Sequence, residues 1–70
     1  MVCCKFICRY VDAHLKEVFL SPSQASCDEN MRVFDKEPRG SLRLYNLQDE
    51  ALKYFAEDGR YFIEITAAKD

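Results

Sequence analysis

The sequence predicts a mainly β α+β fold: a small twisted antiparallel sheet or a partly open barrel, in the order β-β-loop-β-α-β. Three observations predict it. Four segments alternate apolar and polar residues at period two, the mark of half-buried strands. Only one segment, 47–55, carries apolar residues at helical spacing. The chain has 70 residues, 49% of them apolar and 31% charged, with two Gly and two Pro, which suits one packed domain spanning 1–70 and excludes a disordered or collagenous chain.

Residues 2–11 form the first strand. Val2, Cys4, Phe6, Cys8 and Tyr10 share a core face; Lys5 and Arg9 lie on the other, with Ile7 between them. Asp12 opens a loop, and residues 16–21 return as a second strand that Pro22 ends, because proline cannot donate to a sheet ladder. Residues 22–40 are the least regular, with turn-rich Ser21-Pro22-Ser23-Gln24 and Asp28-Glu29-Asn30. Within them Met31, Val33 and Phe34 suggest a short helical turn that plugs one end of the core. Pro38-Arg39-Gly40 launches a third strand, 41–45, with Leu42 and Leu44 inward and Arg43 and Tyr45 outward. Asn46 reads as a helix N-cap with Asp49 in capping-box position, and Leu47, Ala51, Leu52 and Phe55 form the apolar face of the helix. Asp58-Gly59 stops that helix. The final strand, 60–66, turns Tyr61, Ile63 and Ile65 to the core and Phe62, Glu64 and Thr66 away from it.

Cysteine usage bears on compartment. Four cysteines, Cys3, Cys4, Cys8 and Cys27, invite a disulfide reading. Met1-Val2-Cys3-Cys4-Lys5 does not read as a signal peptide, and no apolar run approaches the ~18 residues of a membrane span, so reduced thiols in a cytoplasm are expected. Cys4 and Cys8 on one strand stand about 13 Å apart, too far to share a bond or an ion. Adjacent Cys3-Cys4 and a single histidine, His14, do not make a zinc set, so no metal and no cofactor are expected. The net charge of −2 excludes a polycationic nucleic-acid coat and an acidic nucleic-acid mimic.

Several spaced motifs run from about residue 18 onward. Leu20-Ser21-Pro22 closes a strand, Glu29-Asn30 stands before Val33-Phe34, and Pro38-Arg39-Gly40-Ser41-Leu42 opens the next strand. Asn46 precedes the helix, and Gly59-Arg60-Tyr61-Phe62 runs into Ile63-Glu64-Ile65-Thr66-Ala67. The set resembles a widespread group of small tailed-phage proteins with a Glu-Asn-x-x-aromatic pair, a Pro-x-Gly-x-Leu turn, an Asn-Pro helix start and a Gly-Lys-x-Tyr-Tyr strand running into Thr-Pro. Leu47 and Ala67 stand where that group has proline, and Val33-Phe34 lacks its tryptophan. The resemblance implies a phage-encoded protein acting in the cytoplasm of a bacterial host; it implies no catalytic residue.

Catalysis finds little support in the residues. His14 falls in a turn, Cys27 is the sole cysteine outside the first strand, and the carboxylate pairs Asp28-Glu29, Asp49-Glu50 and Glu57-Asp58 sit at loops or helix ends. Binding is the expected mode of action. Lys5, Arg9, Arg39, Arg43 and Tyr45 are candidate ligand-binding residues: if the first and third strands are neighbours, cations interleave with a ring that can stack a base. Ile7, Phe19 and Phe62 are candidate interface residues because they fall on the non-core side of their strands. The expected function is non-catalytic occlusion of a host protein, including proteins of host immunity. The alternatives are an anti-defence sponge for a nucleotide signal or a small single-stranded nucleic-acid-binding module. No membrane partner is expected, and a chain this short gains from forming a homo-oligomer.

Overall fold

The computed structural model describes residues 1–24 and 28–69. In chain order its elements are β1 (Val2–Asp12), β2 (Glu17–Pro22), α1 (Asp28–Val33), β3 (Leu42–Leu44), α2 (Asp49–Lys53) and β4 (Arg60–Ile65). The four strands form one antiparallel sheet in the order β3-β2-β1-β4. The antiparallel, mainly β class is as expected, with a helix inside the 22–40 segment. The barrel does not form. β3 and β4 stay apart as opposite edges of a slab measuring 35 × 33 × 15 Å. The thin dimension accommodates a sheet and one covering layer.

The core lies on one face of the sheet. Cys4, Phe6 and Cys8 of β1 and Val18 and Leu20 of β2 are buried there. Leu42 and Leu44 of β3, Tyr61 and Ile63 of β4, and Phe34, Leu47, Leu52 and Phe55 outside the strands pack against them. Val2 and Ile65, paired at the open end of the sheet, stay 42% and 59% exposed, so the core stops at Cys4. Met31 and Val33 are exposed as well, and of the expected end plug only Phe34 packs inward.

The expected alternation of β1 fails at a bulge. The register shifts between Cys8 and Tyr10, so Arg9 is an extra residue with no counterpart on β2. Val11 then joins the core side, while Tyr10 pairs with Phe19 on the opposite face. The β1–β2 connection is held by Asp12, whose Oδ1 accepts from the N–H groups of His14 and Leu15, each at 3.0 Å. Lys16 closes the turn at φ 54°, doing without glycine.

Asn30 was legible only as part of a turn; it is the buried residue of α1, 2% exposed. β1 runs on past the last residue of β2, so Lys5 has no strand partner on that side. The Asn30 carboxamide stands in for one. Its Oδ1 accepts from Lys5 N–H at 2.6 Å, and its Nδ2 donates to the carbonyls of Lys5 at 2.9 Å and Ser23 at 3.2 Å. Ser23 N–H adds a bond to Lys5 O at 3.0 Å.

α2 is shorter than the spacing predicts. Asn46 is not its N-cap: it sits at φ 56° ahead of the helix, and Gln48 holds the cap position without a side-chain bond. Leu47 N–H bonds Lys16 O at 3.0 Å instead, tying the approach to α2 to the β1–β2 turn. The exposed ion pair of Lys16 with Asp49, at 3.3 Å, adds little to this. Before β4, the Tyr61 hydroxyl accepts from Ala56 N–H at 2.8 Å and donates to Tyr54 O at 3.1 Å. A Cβ on Gly59 would meet that hydroxyl at 2.8 Å and Ala56 O at 2.9 Å, so close approach, not turn geometry, requires glycine there.

Two stability predictions follow from these contacts. Asn30→Ala takes away the acceptor of the buried Lys5 N–H and the donor to the Lys5 and Ser23 carbonyls and lowers stability by about 3 kcal/mol in urea unfolding; Asn30→Asp, almost the same shape, is also destabilising because its carboxylate cannot donate. A stable Asn30→Asp chain would show that only shape matters. Gly59→Ala costs about 2 kcal/mol by overpacking, read as a lowered melting temperature.

Candidate functional site

The face opposite the core carries the candidate site. Strand alternation from the core residues places Lys5, Ile7, Arg9 and Tyr10 of β1 on it, with Glu17, Phe19 and Ser21 of β2, Arg43 of β3, and Arg60, Phe62 and Glu64 of β4. The apolar residues outside the strands pack on the other side, so the face is left open.

Phe19 is the centre of one cluster. Tyr10 stacks on it with ring centroids 5.8 Å apart and planes at 29°. The Arg43 guanidinium lies 4.8 Å from the centre of the same ring. Tyr10 in turn donates to Glu17 Oε1 at 3.3 Å. Desolvation raises the Tyr10 phenol above its ordinary value; nearby Glu17 adds to this and Arg43 opposes it. Contact with the Tyr45 phenol, followed by Tyr10, raises the Arg43 guanidinium, so Arg43 stays cationic. A second cluster forms at the β1–β4 boundary, where Lys5 Nζ stands 5.3 Å from the centre of the Phe62 ring. Between them Arg9 Nε donates to Ser21 Oγ at 2.7 Å.

Strands β1 and β3 are not neighbours, because β2 lies between them. Lys5 and Arg9 therefore reach Arg43 and Tyr45 only across the β2 row, through Phe19 and Ser21. Arg39 is on no strand. It lines a shallow depression with Phe34, Asp35, Lys36 and Glu37. Ile7 and Phe19 are half-buried in the face and Phe62 is 58% exposed. Sequence reasoning missed Tyr10, which the bulge re-aims. It also missed Arg60, which the Arg60-x-Phe62-x-Glu64 alternation of β4 places on the face.

Among the described residues the groups weighed for catalysis lie apart or buried. His14 lies in the exposed β1–β2 turn. Cys27 lies outside the described residues. Cys8 is buried, and burial first, then the Glu57 carboxylate, pushes its thiol upward; a backbone hydrogen bond at Tyr10 opposes this and Asp58 reinforces it. A protonated, buried thiol is a poor nucleophile. Among the described residues no three His, Cys, Asp or Glu side chains stand close enough to hold a metal ion. No helix among them is long and apolar enough to cross a membrane.

Compared with protein families, curated proteins and solved structures, the chain matches none.

The Cys8 environment predicts an alkaline limit. A thiol whose folded value is raised favours the folded state while protonated, and that contribution drains away as pH climbs past the ordinary thiol value near 9. The urea midpoint is expected to fall above pH 9, and to fall less steeply in Cys8→Ala.

Proposed function

We propose that this chain is a non-catalytic binding protein that covers the surface of a partner protein with the open face of its sheet. The observation that carries the reading is the composition of that face. Ile7, Phe19 and Phe62 lie along it among Lys5, Arg9, Arg43 and Arg60, and the covering layer packs on the other side. Apolar residues edged by charge on an uncovered face suit protein docking. The spaced motifs that resemble tailed-phage proteins supply the biological setting: the partner is a host protein of the infected bacterium, a protein of host immunity included, and binding disables it by occlusion in the host cytoplasm.

The nucleotide-signal and single-stranded nucleic-acid readings draw on the same cations. Phe19 serves them poorly, since Tyr10 and Arg43 already lie against its ring. A base would have to displace an existing contact to stack there.

The test uses the full chain, immobilised, with lysate of a bacterial host. One partner is expected to be retained, and Arg43→Ala and Ile7→Ala are each expected to weaken its binding about tenfold while the circular dichroism spectrum is unchanged. Linear and cyclic nucleotides are expected to leave the melting temperature where it is. A nucleotide-dependent rise abolished by Arg43→Ala, or steep loss of single-stranded nucleic acid with salt, would replace this reading.

A further inference from the structure

The sheet has two edges of different character. β3 is three residues long and follows Pro38, so it offers little to a passing strand. β4 is six residues long, contains neither Lys nor Pro, and pairs with β1 without a break from Val2↔Ile65 to Ile7↔Arg60. An unbroken edge of this kind is a template for another strand.

The hydrogen-bond pattern fixes which backbone groups that edge presents. Lys5 turns both its N–H and its C=O away from β4, towards Asn30 and Ser23. Lys5 faces Phe62, so theirs is a non-bonded pair of the antiparallel ladder. The N–H and C=O of Phe62 therefore point away from β1, to the outside. Alternation gives Arg60 and Glu64 the same orientation.

We propose that this edge pairs, antiparallel, with the same edge of a second copy of the chain about a two-fold axis through Phe62, making one continuous sheet. Charge selects that register. Arg60-x-Phe62-x-Glu64 inverts in sign about its central residue. With the axis at Phe62, Arg60 lies opposite the partner's Glu64 and Phe62 opposite the partner's Phe62, and both kinds of pair consist of residues whose backbone groups face outward. On the core side Tyr61 lies opposite the partner's Ile63. An axis at Arg60 or at Glu64 sets like charges against each other. An axis at Tyr61 or Ile63 sets a charge against Phe62.

The surface of the single chain agrees. It exposes 5552 Å², where a compact monomer of 8.2 kDa exposes about 4,500 Å². Its radius of gyration is 13.0 Å, against about 11 Å for a compact domain of this length. The pairing uses the backbone edge of β4 where the function proposed above uses the outer face; the side chains of Arg60 and Phe62 belong to both, but the mass of the chain alone tests the pairing without a partner protein.

Light scattering on the purified full chain tests it. At about 100 µM the expected mass is twice the 8.2 kDa of one chain. Arg60→Glu is expected to weaken the dimer at least about tenfold, and adding Glu64→Arg to it is expected to restore the dimer. Hydrogen exchange at the Phe62 amide supplies a readout free of substitution: protection at high concentration, lost on dilution. A monomer at that concentration, a dimer indifferent to Arg60→Glu, or a folded double variant that stays monomeric would each overturn the proposal.

Discussion

The carboxamide of Asn30 takes the place of a peptide group in a strand that is not there. β1 is nearly twice as long as its hairpin partner, and beyond the last residue of β2 its Lys5 N–H and C=O have no neighbouring strand. Water cannot serve them, because Asn30 and Ser23 close over this site at 2% and 4% exposure. An amide carries one acceptor and two donors on a rigid plane, so it can satisfy a backbone N–H and two carbonyls at once. Three consequences meet in this contact. α1 is anchored to the sheet, the Pro22–Ser23 exit from β2 is fixed, and Lys5 is committed to face away from β4. The direction of the Lys5 N–H and C=O, away from β4, is the point that sets the polarity of β4, and with it the backbone groups that the far edge of the sheet shows to its surroundings.

The bulge at Arg9 is the second constraint. One extra residue in β1 rotates the strand beyond it, which sends Val11 inward and Tyr10 outward. With a regular ladder Arg9 in place of Tyr10 would lie opposite Phe19, and the outer face would lose the ring that lies between Glu17 and Arg43. The outer face is thus built from local events, a bulge and three cation or ring contacts, upon a sheet whose core face is conventional. A chain of this size cannot cover both faces of a four-stranded sheet with two helices of six and five residues. One face is left to solvent or to a partner, and its rings and cations are arranged accordingly.

Much of this was legible in the residues. Period-two alternation located all four strands and their core faces, because side chains of a half-buried strand must alternate between core and water. Arg43, Lys5, Ile7, Phe19 and Phe62 were placed on the outer face by the same rule. The rule fails at Tyr10, since nothing in Cys8-Arg9-Tyr10-Val11 marks an inserted residue; the bulge exists because β2 pairs on either side of it. Asn46 looked like a helix cap because its side chain suits one, yet it also tolerates a left-handed backbone, and the bond of Leu47 to Lys16 O chose the latter. Asn30 looked like a turn residue for a similar reason: a polar side chain between Glu29 and Met31 gives no sign that a backbone across the sheet requires it.

By itself the sequence determined the period of each element, the apolar side of each strand, and the stock of cations and rings available to the outer face. These follow from interactions between residues a few positions apart. Only the tertiary structure decided that β2 lies between β1 and β3, that the sheet stays open, and that Asn30 and Arg9 hold positions no local pattern announces. Those choices depend on hydrogen bonds and packing between residues far apart in the chain, where each partner makes sense only once the other is in place.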